Sequence, residues 1–133
     1  MSSSGIYRYQ IIARLYSKKY KNKYYPLYLE ALLTKKNQVK FNIEFEFPYE
    51  VQVYSMDGRY PSAGWSSLPR YLIAFPVKDD SGKYLYKHFS NKLTRSQVID
   101  CLSKLEKYTD IVIKWEIPDL EAFLIAMELE AKL

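Results

Sequence analysis

From Val39 to Phe47 the chain alternates apolar and polar residues without a break: Val39, Phe41, Ile43, Phe45 and Phe47 are separated by Lys40, Asn42, Glu44 and Glu46. Successive side chains of a strand point to opposite faces, so this pattern fits a strand with one face buried and the other in water. Strands of that kind belong to antiparallel sheets covered on one side only. Pro48 interrupts the run, and Glu50-Val51-Gln52-Val53-Tyr54 takes the alternation up again as far as the turn pair Asp57-Gly58.

The neighbouring segments fill out the sheet. Ile6 to Tyr16 is rich in β-branched and aromatic residues and is expected to open it. Tyr24 to Thr34 fits strand or helix, and strand is preferred. Tyr71 to Phe75 and Lys83 to Phe89 flank Asp79-Asp80-Ser81-Gly82 and form a hairpin in which Pro76 marks an edge. Thr94 with Gln97 three residues later is a capping-box pair, and Val98, Leu102, Leu105 and Tyr108 then recur at helical spacing. Asp110 to Trp115 holds an apolar run that suggests a strand buried on both faces. Pro118, with Asp119 and Glu121 close behind, suits the start of a final helix. The expected fold is therefore α+β: an antiparallel sheet of five or six strands with two helices from the C-terminal half on one face. Residues 1–5 read as a leader and 6–133 as one domain.

In the last helix Leu120, Phe123, Leu124 and Met127 make one stripe, while Ile125, Leu129 and Leu133 fall on another side. A helix packed on a sheet needs one apolar face. The second stripe is either a fraying C-terminus or a contact in a homodimer.

Chemistry is sparse. His88 is the only histidine and shares a strand face with Tyr84 and Tyr86, a position usual for a surface or half-buried residue. Cys101 is the only cysteine, lies on or beside the apolar stripe of the capped helix, and is expected to be structural. One His and one Cys cannot build the common zinc sites within a chain. Glu44 and Glu46 share a strand face, which leaves a metal-dependent nuclease as a third functional alternative, although alternation assigns both to solvent. No phosphate-cradling glycine loop and no nucleophile elbow is present, so neither a catalytic residue nor a cofactor is assigned. No window of the chain is apolar enough to cross a membrane. Residues Met1 to Gly5 lack the apolar core of a signal peptide, and a single cysteine fits an intracellular, cytoplasmic location.

Charge carries the strongest functional signal. The chain has a net charge of +5, yet its first 40 residues hold nine lysines and arginines against Glu30 alone, a balance of +8, so the remainder is acidic at −3. Seven of the 14 tyrosines lie within the first 28 residues. The two residue types interleave between Arg14 and Tyr25, where Lys18, Lys19, Tyr20, Lys21, Lys23 and Tyr24 also stand. Cationic side chains neutralise phosphates and tyrosine rings stack unpaired bases, a combination suited to single-stranded DNA or RNA rather than duplex. The competing view is a solvated basic loop whose tyrosines pack on the sheet. A second aromatic group, Tyr60, Trp65 and Tyr71, lies around the segment 57–70, which also carries Arg59 and Arg70 and is either a binding loop or a lid that plugs the core through Trp65.

No motif places the chain in a family. In its Tyr- and Lys-rich character, and in a sheet followed by a capped helix, it is similar to small proteins of archaeal viruses and hyperthermophiles. That similarity implies single-stranded DNA binding, since some of those proteins do so, and a host-cytoplasm location if the protein is viral. The expected function is non-catalytic binding of single-stranded nucleic acid through the N-terminal basic segment. The alternative is a protein-interaction or viral accessory module.

Overall fold

The computed structural model describes residues 5–19, 23–51, 53–54, 61–62 and 72–133. In chain order the elements are β1 (Gly5–Ser17), β2 (Tyr25–Leu33), β3 (Val39–Phe47), β4 (Val53–Tyr54), β5 (Pro61–Ser62), β6 (Ile73–Lys78), β7 (Tyr84–Leu93), α1 (Arg95–Tyr108), β8 (Ile111–Trp115) and α2 (Leu120–Ala131). Six strands form one sheet in the order β6-β7-β3-β2-β1-β8, every described pairing antiparallel, and β4 pairs separately with β5. The α+β architecture with two helices in the C-terminal half is the one expected.

β3 lies inside the sheet and keeps its alternation: Val39, Phe41, Ile43, Phe45 and Phe47 are buried, the residues between them half-buried. Leu27, Leu29 and Ala31 of β2 continue the same buried face. In β1 the pairing shifts between Ile11 and Ala13, and both Ile12 and Ala13 are fully buried. A bulge of this kind lets two consecutive side chains face the core. α1 packs on this face through Val98, Cys101, Leu102 and Leu105, and α2 through Leu124, Met127 and Ala131. Among the described residues no helix covers the opposite face.

The turns are built as their residues require. Between β2 and β3, Asn37 takes φ 60°, a left-handed conformation that asparagine tolerates. In the β6–β7 hairpin Asp79 Oδ1 accepts from the Ser81 and Lys83 amides, each at 2.9 Å, and Gly82 supplies φ +85°. The Asp79 amide donates to the Lys83 carbonyl at 2.8 Å, so odd-numbered residues of β6 bond to β7 and even-numbered ones face outward. Pro76, in the middle of this edge strand, therefore lacks its N–H on the side where no described strand lies.

Several expectations need correction. β8 is not buried on both faces: it is the other edge strand, with Ile111 and Ile113 buried, Val112 half-buried, and Lys114 and Trp115 exposed. Pro118 does not begin the last helix. Asp119 is its N-cap, accepting from the Ala122 amide at 3.1 Å, and Pro118 stands one residue earlier. His88 is neither surface nor half-buried, because its parity on β7 puts it on the helix-covered face. There it stacks on Phe45 at 4.6 Å between centroids, and its Nδ1–H donates to the Tyr86 carbonyl at 3.0 Å. The stretch expected to resume the alternation after Pro48 is a strand only at Val53–Tyr54 among the described residues.

Candidate nucleic-acid interface

Beyond its bulge β1 alternates strictly. Ala13, Leu15 and Ser17 face the core, so Arg14 and Tyr16 stand on the open face. The β1–β8 register sets Arg14 beside Lys114 and Tyr16 beside Val112. Two cations side by side repel, and Glu116 offsets this: its carboxylate lies 3.3 Å from Arg14 Nε. Both side chains are largely in water, so the pair orients the guanidinium more than it stabilises the fold.

Tyr24 completes the group from the β1–β2 connection. Its ring meets Tyr16 edge-on at 5.1 Å, and Lys114 Nζ sits 5.5 Å from its centroid. It is still 47% exposed. Arg14, Tyr24, Lys114, Trp115 and Glu116 line a shallow cavity of about 280 Å³ at this edge. Where the chain leaves β1 it is pinned to the start of β8: the buried Ser17 hydroxyl donates to the buried Asp110 carboxylate, and the Lys18 amide donates to the Asp110 carbonyl at 2.7 Å. Lys18 and Lys19 consequently emerge into solvent from a fixed point, and Lys23 is exposed on the return.

Of the residues expected to contact nucleic acid, Arg14, Lys18, Lys19, Lys23 and Tyr24 lie at or beside this edge. Tyr25 turns the other way. Its half-buried ring packs on Phe47 at 5.2 Å and Tyr49 at 6.3 Å, and burial raises its hydroxyl pKa. Tyr20 and Lys21 fall outside the described residues, as do Arg59, Tyr60, Trp65 and Arg70. Ile125, Leu129 and Leu133 are exposed, as the second-stripe pattern implies. Lys114, Trp115 and Glu116 were not singled out by the sequence. They join Arg14 only because the last strand pairs with the first, a long-range pairing that no local pattern announces.

The rest of the open face has a different character. Glu30, Glu44 and Glu46 form a carboxylate strip on β2 and β3; burial and the neighbouring Glu44 raise the Glu30 pKa. Lys87 Nζ lies 3.5 Å from Glu44. Further out, Ile73, Phe75 and Val77 expose an apolar row on β6. A second cavity of about 480 Å³ opens on this face near the start of β2 and the end of β3, lined by Lys23, Pro26, Tyr28, Glu46, Lys83 and Leu85 among others. Cys101 is fully buried and its thiol is pushed up to about 12 by burial, consistent with a packing role. Among the described residues no three His, Cys, Asp or Glu side chains gather as metal ligands, and no helix is long and apolar enough to cross a membrane. No family model, curated protein or solved structure matches the chain.

Proposed function

We propose that the protein binds single-stranded nucleic acid at the β1–β8 edge, with no chemical step. The observation that carries this is the half-exposed Tyr24 ring, held by Tyr16 and Lys114 and lining one cavity with Arg14, with the exposed Lys18, Lys19 and Lys23 on the chain either side of it. An aromatic face fixed among cations offers stacking and phosphate neutralisation together. A single cysteine supports a location inside the cell, and the second apolar stripe of α2 supports a homodimer.

The test is a titration of labelled single-stranded and duplex oligonucleotides at two salt concentrations. Single strands bind more tightly, and affinity falls steeply with salt. Replacing Lys18, Lys19 and Lys23 by alanine flattens the salt slope by about 0.7 for each phosphate no longer neutralised. Tyr24→Ala costs about 1–3 kcal/mol while leaving the slope nearly unchanged. No binding at low salt overturns the proposal.

A second reading has its own observation. The exposed row Ile73, Phe75 and Val77 suits an apolar protein partner, whose binding would barely respond to salt. That insensitivity separates it from phosphate binding.

A further inference from the structure

The 480 Å³ cavity on the open face falls within the size range of small-molecule sites, roughly 300–1,000 Å³. Its lining is mainly apolar and aromatic, with charged groups of both signs. Pro26, Tyr28 and Leu85 offer flat and apolar surface, Glu44 and Glu46 contribute carboxylates, and Lys23 and Lys83 contribute ammonium groups. Lys83 is held in place through its backbone, which exchanges hydrogen bonds with Asp79 in both directions.

The two carboxylates are not equivalent. Glu44 has Lys87 at 3.5 Å. Glu46 stands opposite Lys87 in the register, yet makes no ion pair or hydrogen bond among the described residues, although it is half-buried. A half-buried carboxylate only accepts hydrogen bonds and gains most from a ligand that presents donors. A cationic ligand suits the site poorly, because two lysines line the same cavity. A neutral, flat group with adjacent donors, attached to a phosphate, suits all of these features at once.

We propose that this cavity takes a guanine base, with Glu46 accepting from its N1–H and N2 amine, Tyr28 offering a stacking surface, and Lys23 and Lys83 facing the attached phosphates. Among the common bases only guanine places two donors side by side on its Watson–Crick edge. Thymine and uracil set one N–H between two carbonyl oxygens, which a carboxylate repels. Cytosine and adenine set one amine beside a ring-nitrogen lone pair. The proposal rests on single-strand binding for how the base arrives: Lys23 lines this cavity and Tyr24, the next residue, lines the cavity at the β1–β8 edge, so one strand reaches both.

The experiment compares a short labelled oligothymidine, the same strand with isolated guanines, and that strand with inosine for guanine, by fluorescence anisotropy. The guanine strand is expected to bind about tenfold more tightly than oligothymidine, with inosine, which lacks the N2 amine, losing most of the gain. Glu46→Gln abolishes the preference and leaves oligothymidine affinity unchanged; an unaltered thermal midpoint confirms that this variant is folded. Equal binding of all three strands, or a preference that survives Glu46→Gln, overturns the guanine assignment while single-strand binding stands. A parallel arm uses guanosine monophosphate. If it binds in a Glu46-dependent manner while no strand binds, the cavity is a free-nucleotide site and the single-strand proposal fails alone. If neither mononucleotide nor strand binds, both proposals fail.

Discussion

At the scale of single residues, His88 shows how parity along a strand outweighs the usual habits of a residue type. The sequence places it with Tyr84 and Tyr86, and polar residues on strands are mostly in water. The β3–β7 pairing instead sets it beside Phe45, fully buried and ring-stacked. Desolvation disfavours the imidazolium and lowers its pKa from 6.5 to about 4, the hydrogen bond to the Tyr86 carbonyl opposing only part of this. Because the folded pKa lies below the unfolded one, the unfolded chain takes up the proton first as pH falls. Stability from this group is complete above pH 6.5 and is lost progressively down to about pH 4, by on the order of 3 kcal/mol. Thermal midpoints measured across that window should fall in the wild type and fall less in His88→Phe. An identical acid-side decline in both would mean that other groups cause it.

At the scale of elements, α1 is the best-specified piece of the chain. Thr94 Oγ1 accepts from the Gln97 amide at 3.2 Å, and Gln97 Oε1 accepts from the Thr94 amide at 2.9 Å. Thr94→Ala should lower stability by about 1 kcal/mol in denaturant titrations. Gln97→Ala should add little on top, since the two bonds form one reciprocal unit; full additivity would count against the box. Local signals of this kind were legible in the sequence: the cap of α1, the alternation of β3, and the Asp79–Gly82 turn with Pro76 on an edge strand. What escaped was set at long range. Ile111, Val112 and Ile113 look like a central strand, yet β8 is an edge, because nothing in its composition tells it to pair with β1. The same pairing brings Lys114 and Trp115 to Arg14 and turns half of the candidate site into something the N-terminal segment alone does not display. Tyr25 went the other way, since interleaving with lysines does not reveal which ring turns toward Phe47.

At the scale of the whole molecule, among the described residues the helices cover one face of the sheet and keep one apolar surface of their own outside the core. Arg95 Nη1 meets Glu128 Oε1 at 2.8 Å, tying α2 to the start of α1, while Leu124 and Met127 face the core. That orientation leaves Ile125, Leu129 at 66% exposure and Leu133 on the outside, next to the exposed Ala122 and Ala126, whose small side chains permit close approach of another helix. Glu121 lies in the first turn and Lys132 just past the last. A second copy packed antiparallel about a two-fold axis would set each Glu121 against its partner's Lys132, whereas parallel packing would set like against like. A helix of 12 residues is about 18 Å long and offers on the order of 400 Å² a side, short of the roughly 800 Å² of a standard stable interface. The proposed dimer should therefore be concentration-dependent. Sedimentation equilibrium is expected to show the 15.8 kDa chain passing to twice that mass as concentration rises toward tens of micromolar, and Leu129→Glu to remain at the lower mass with an unchanged fold. A wild-type chain that stays at 15.8 kDa throughout would leave the second stripe of α2 without a partner of its own kind, and a Leu129→Glu variant that still doubles would place the contact elsewhere, with the apolar row of β6 the next surface to probe.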